Sequence, residues 1–161
     1  DEDITQFVAA DITIFYYRSD AGPDGINGAQ FMIDMGGAVG AVDYIEQATT
    51  WPANTLQLGT SIYTGISTVW QQECYGASSD WIWIGTINVI WMTTSTKTIT
   101  VVADPGAIDP SAPHVSICDV AKTQVNVLGG FYLACDPTDP SCSCNTATEG
   151  STWGAIKGMY R

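Results

Sequence analysis

WIWIGTINVIW, residues 81–91, is the stretch on which the fold turns. Aromatic and β-branched residues at period two make it a strand. Counting alternation from Trp81 puts Trp81, Trp83, Ile87, Val89 and Trp91 on one face and Ile82, Ile84 and Ile90 on the other. Both faces are then apolar. A strand in a two-layer sandwich normally keeps one face in the core and one in water, so this count demands a cover for the outer face. Three covers are open: the C-terminal segment, a neighbouring subunit, or a glycan stacked on the indoles. The stretch is no membrane span, being too short and interrupted by Gly85, Thr86 and Asn88.

Outward from this strand the same alternation recurs in short pieces bounded by Gly, Pro, Asp and Ser. Asp11–Arg18 (DITIFYYR) and Gly28–Met35 read as strands, joined by the turn-rich Ser19–Asn27. Val39–Thr49 reads as a strand, although its Ala, Glu and Gln also permit a short helix. Thr55–Gln72 splits into two strands at Gly59 and Gly65. Lys97–Ala103, His114–Cys118 and Gln124–Cys135 bring the count to about eight to ten. Asp104–Pro113 holds three prolines and is a surface crossover, since proline offers no amide donor to a ladder.

The expected fold is therefore all-β: a sandwich of the Ig-like or jelly-roll kind over residues 1–135. Residues 136–161 form a second, disulfide-tethered segment. Its end, STWGAIKGMYR, places Trp153, Ile156 and Tyr160 at helical spacing, so a short helix or a docked tail is expected there. Gly154 and Gly158 each cost a helix about 1 kcal/mol, so the segment has to dock on something.

Composition narrows the function. The chain of 161 residues carries 17 acidic and 5 basic side chains, a formal charge of -12. Such a field repels phosphates, so nucleic acid and anionic membranes are poor candidate partners, and cations or basic surfaces fit better. Charged residues are only 14% of the chain against about 25% in ordinary domains. Thr, Ser and Gly fill the polar positions, as in extracellular β proteins. Cys74, Cys118, Cys135, Cys142 and Cys144 lie in no zinc or haem spacing. They read as disulfides, hence an oxidising compartment and a secreted or cell-surface protein. Asp1, with no preceding Met, agrees with a removed signal peptide. A Cys118–Cys135 bridge between neighbouring strands is expected, with Cys74 meeting Cys142 or Cys144. An odd count leaves one thiol over.

No catalytic signature emerges. His114 is the single histidine, without a Gly-x-Ser-x-Gly elbow, and Ser111 and Ser116 beside it define no geometry. No cofactor is implied, except that the loop carboxylates of Ser19–Gly25 (SDAGPDG) are a faint candidate for calcium, in no EF-hand order. The expected work of the protein is binding or assembly through Trp81, Trp83 and Trp91. The N-terminal Ile4, Phe7 and Val8 are further contacts, by strand addition to a neighbour's sheet, and so are Trp153, Ile156 and Tyr160 of the tail. Self-association into a homo-oligomer, filament or surface layer is the first reading. A carbohydrate-binding or adhesion module is the second.

Two resemblances agree. Gly25–Asp34, GINGAQFMID, resembles the early core strand of cohesins, which implies a nine-stranded jelly-roll that binds dockerin modules. Met35-Gly36-Gly37 replaces the usual following motif, and cysteine-rich ends are foreign to cohesins. The last 45 residues or so resemble those of secreted bacterial sandwich proteins of no assigned activity that end in Trp-Gly-x-x-Lys-x-x-Tyr-Arg, here Trp153, Gly154, Lys157, Tyr160 and Arg161. That likeness implies a fold and a location. Cys74 stands alone where those proteins carry a local pair.

Overall fold

The computed structural model describes residues 2–18, 25–36, 43–71, 74–136 and 138, and all structural statements concern these. They form strands and no helix. In chain order these are β1 (Glu2–Asp3), β2 (Ala9–Tyr17), β3 (Ile26–Asp34), β4 (Tyr44–Thr50), β5 (Thr55–Ser61) and β6 (Gly65–Trp70). Then come β7 (Trp81–Trp91), β8 (Lys97–Val102), β9 (His114–Ile117), β10 (Gln124–Asn126) and β11 (Phe131–Cys135). The all-β sandwich expected from the sequence is the observed architecture.

Two sheets pack face to face. The smaller runs β2-β7-β4. The larger runs β1-β11-β8-β3-β6-β5, with β9 beside β3 and β10 on β9. β3 organises the larger sheet because it is long enough to serve different neighbours along its length. β6 pairs with one side over Gly28–Phe31. On the other side β9 pairs near its start and β8 at its end. The sheet forks where β9 gives way to β8, and the Asp104–Pro113 crossover joins the two.

β7 is where alternation read from sequence goes astray. Ile14 of β2 pairs with Gly85, but the next residue, Phe15, pairs with Trp83. Ile84 is thus an extra residue, a bulge, and the phase of β7 slips by one across it. Ile82 and Ile84 face inward before the bulge, and Ile87, Val89 and Trp91 face inward after it; all five are at most 3% exposed. The outward set becomes Trp81, Trp83, Thr86, Asn88 and Ile90. The strand is therefore not apolar on both faces, and its middle needs no cover. Gly85, beside the slip, lets the Trp51 ring pack onto the strand, since a Cβ there would sit 2.7 Å from that ring.

The core lies between β2, β7 and Tyr44 on one side and Phe31, Ile33, Ile66, Ile99 and Val115 on the other. Fully burying each such side chain contributes roughly 1.5–3 kcal/mol. Thr68, 1% exposed, is tolerated among them because its hydroxyl donates to the Ala29 carbonyl at 3.3 Å.

Several expectations change. Gln124–Cys135 is not one strand: Val127–Gly130 separates β10 from β11, and the chain changes neighbour there, from β9 to β8. Val39–Thr49 is a strand only from Tyr44 onward, and 39–42 lie outside the described residues. The bend in 55–72 is as expected, with Gly59 and Gly65 both at positive φ (114° and 113°). Cys118 is bonded to Cys74, with Cα atoms 5.2 Å apart, and not to Cys135. Cys135 is itself disulfide-bonded, to a partner outside the described residues. Cys142, Cys144, the tail with Trp153, Ile156 and Tyr160, and the calcium candidate Ser19–Asp24 also lie outside them.

Candidate partner-binding face

The outer surface of the small sheet is built from rungs between β2 and β7. On β2 the inward residues are Ala10, Ile12 and Ile14, which leaves Asp11, Thr13, Phe15 and Tyr17 outward. The register sets these opposite Asn88, Thr86, Trp83 and Trp81 in turn. Two rungs are polar: Asn88 Nδ2 donates to Asp11 Oδ1 at 2.7 Å, and the Thr13 and Thr86 hydroxyls share a hydrogen bond at 3.3 Å. The other two are aromatic. Tyr17 and Trp81 have ring centroids 4.6 Å apart, and Phe15 meets Trp81 edge-on at 6.4 Å. The polar rungs fix the indole beside them, since Trp83 Nε1 donates to Thr86 Oγ1 at 3.0 Å.

Phe15, Tyr17 and Trp81 are each about half exposed, at 50%, 52% and 51%. Isolated apolar residues on a surface are ordinary, but three contiguous aromatic rings on one sheet face are the kind of patch that marks an interaction site.

Beside this face runs an apolar groove of about 720 Å³. Ile14, Ile84, Phe31 and Val115 form its floor, Trp81 and Tyr17 one lip, and Val125 and Leu128 the other. It lies where β2 ends the small sheet and the larger sheet forks. His114 also lines it, 5% exposed, with Nε2 3.9 Å from the Asp109 carboxylate and Nδ1 without a hydrogen-bond partner. One carboxylate at that distance, with the Ser116 hydroxyl donating instead to the Lys122 carbonyl, assembles no nucleophile and base.

No protein-family model matches the sequence, and no curated protein matches it. Among solved structures the chain is similar to a cohesin module from Clostridium perfringens ATCC13124, part of a family 33 glycoside hydrolase. The two share 8% identity at a TM-score of 0.56, over 83% of this chain and 88% of that one. The fold is a cohesin-like β-sandwich.

Within the cohesin-like sandwich, the residues singled out from sequence separate into two groups. Trp81 and Trp83 lie on the outer face, Trp83 half-buried. Trp91 and Ile4, 3% and 2% exposed, belong to the core and can meet no partner; the bulge turns Trp91 inward, and the Ile4 amide bonds to the Cys135 carbonyl. Phe7 and Val8 are exposed, at 67% and 50%, near the end of β7, where the Phe7 amide bonds to the Trp91 carbonyl. Only Glu2–Asp3 of the N-terminal segment forms a strand, parallel to β11 of its own chain. Phe15 was not foreseen from sequence. Its signal was the alternation of DITIFYYR, which puts Phe15 and Tyr17 opposite the inward isoleucines.

The groove's outer wall, β9–β10, is held by two carboxylates. Asp119 accepts from the Thr123 amide at 2.7 Å and hydroxyl at 2.5 Å, closing the hairpin turn. These bonds hold its pKa below the usual value. The Asp109 carboxyl is lowered chiefly by hydrogen bonds from the Ser111 hydroxyl and amide and then from Asn126. A carboxylate whose folded pKa is depressed stabilises the fold above its unfolded pKa, and that contribution is lost as pH falls through the folded value. We expect the β9–β10 hairpin to loosen in acid before the core does, read as faster amide exchange at Val125 than at β3. Asp119→Asn should remove most of this pH dependence, and equal acid sensitivity in the variant would contradict the assignment.

Proposed function

We propose that the chain is a secreted, non-catalytic extracellular module that assembles with further copies of itself through the outer aromatic face of β2–β7, in a filament or surface layer. The observation that carries this reading is the contiguous set Phe15, Tyr17 and Trp81, each half exposed on a face otherwise locked by polar rungs. Aromatic side chains supply large rigid contact area at low entropic cost and dominate interface energetics. The disulfide supports an oxidising location. Cohesin-like architecture supports a module that binds rather than turns over substrate.

Sedimentation of the full chain across a concentration series tests this. Concentration-dependent larger species are expected, and Phe15→Ser/Tyr17→Ser/Trp81→Ser should weaken association by about 30-fold or more, the scale of one interface hot spot. A monodisperse monomer at every concentration would remove the proposal. A second reading draws on the polar rungs beside the rings, because an aromatic platform with a polar rim is also what stacks a sugar. Glycan binding by a monomer, lost in Trp81→Ala, would select it.

A further inference from the structure

The outer face of the small sheet is apolar at both ends. Past the two polar rungs, at the end away from the rings, Ile90 stands between Ala9 of β2 and Ile45 of β4. Ile45 is 38% exposed, and Phe7, 67% exposed, follows at the same end. The Phe7 backbone sits at φ 62°, tied by its amide to the Trp91 carbonyl at 2.8 Å, while the Gln6 side chain donates to the Met92 carbonyl at 2.8 Å. A bulky residue fixed at positive φ with its side chain exposed is an outlier that points to a contact. We propose that this face is the contact between two copies of the chain, stacked about a twofold axis that lies in the plane of contact along the central rung, Thr13–Thr86. The aromatic end of each copy then covers the aliphatic end of the other. This deepens the self-association proposed above and rests on it, by naming the surface of the second copy that the rings meet.

Size, charge and the order of the rungs select this arrangement. Three half-exposed rings offer roughly 200–400 Å² on each copy. Rings meeting only rings would therefore bury less than the roughly 1,000 Å² in total that a specific interface needs, so the far end of the face has to contribute. Charge is sparse on this face. Of the outward side chains on its rungs only Asp11 is charged, and it lies on the flanking strand β2, bonded to Asn88. Copies that each carry a formal charge of -12 approach most readily where like charges are fewest. The order of the rungs fixes the axis. The bulge at Ile84 makes the outward residues of β7 run Ile90, Asn88, Thr86, Trp83 and Trp81, with Thr86 in the middle. Reversal about Thr86 lays Ile90 over the second copy's Trp81, and the short Thr13–Thr86 pair meets its own counterpart, where small side chains allow close approach. Two sheets packed face to face with nearly aligned strands have this form. A twofold contact closes on itself. The pair is then the repeating unit, and growth into a filament or layer runs through other surfaces.

Sedimentation of the full chain tests this beside two variants, one altered at the aromatic end (Phe15→Ser/Tyr17→Ser/Trp81→Ser) and one at the aliphatic end (Phe7→Ser/Ile45→Thr/Ile90→Thr). Each variant alone should self-associate about 30-fold or more weakly than the parent, because a twofold pair of either loses both contacts. Mixed one to one, the variants should bind each other about fivefold more tightly than either binds itself, since one of the two contacts between them is intact. A merely weakened fold gives no such recovery. If the aliphatic-end variant unfolds, Phe7→Ser alone gives the same comparison more mildly. An aliphatic-end variant that associates like the parent, or a mixture no tighter than its components, would overturn this arrangement and leave self-association through the rings in place. A parent that stays monomeric at every concentration would remove both.

Discussion

Replacing Cys74 and Cys118 together by Ala should lower stability by up to about 4 kcal/mol, the largest effect expected of any change outside the core. The bridge joins residues 44 apart in sequence, and closing a loop of that size restricts the unfolded chain by about that much in the chain-entropy account. Its placement adds to this. Cys74 precedes Tyr75, whose amide and carbonyl both bond to Ile26 at 2.9 Å, and the Cys118 amide bonds to the Gly25 carbonyl at 3.1 Å. The bridge thus clamps the start of β3, the strand that three others pair with. For a domain of this size the loss amounts to a fall in Tm on the order of 10 °C. Thermal unfolding of the double variant measures it, and a fall of only a degree or two would mean that the bridge sits on structure already fixed without it.

How far the sequence led depends on how local the deciding physics is. Strands bounded by Gly, Pro and Asp clusters could be read directly, because period-two alternation and turn chemistry act over a few residues. The bend at Gly59–Gly65 was legible for the same reason. Cysteine pairing was not, since which two of five thiols meet is a property of the assembled sheets. The break between β10 and β11 was missed as well: the alternation of Val125, Asn126 and Val127 runs on past the end of β10, and what separates the strands is the change of partner from β9 to β8, marked in the sequence only by Gly129 and Gly130. For the candidate face, Trp81 and Trp83 were legible as aromatic strand residues. Their combination with Phe15 and Tyr17 depended on a cross-strand register that no single segment carries. Trp91 was misplaced by one residue of slip at Ile84.

That slip leads to the second large effect, because it reassigns every side chain on β7 beyond Gly85. With the bulge, Ile87 is wholly buried and Ile90 faces outward opposite Ile45, which is 38% exposed. An unbroken alternation running from Ile82 would instead bury Ile90 and turn Ile87 out. Ile87→Ala is therefore expected to cost about 2–5 kcal/mol, the range for truncating a fully buried isoleucine whose cavity the core cannot close. Ile90→Ala should cost well under half as much, since it leaves the core untouched. Denaturant unfolding of the two variants gives both numbers at once. Equal losses, or a larger loss at Ile90, would place the bulge elsewhere and return Trp91 to the surface. The same experiment bears on function: only with the slip at Ile84 do Trp81 and Trp83 stand outward on the same face as Thr86 and Asn88. The outward aromatic rungs and the five-residue inner face that anchors the core are two consequences of one inserted residue.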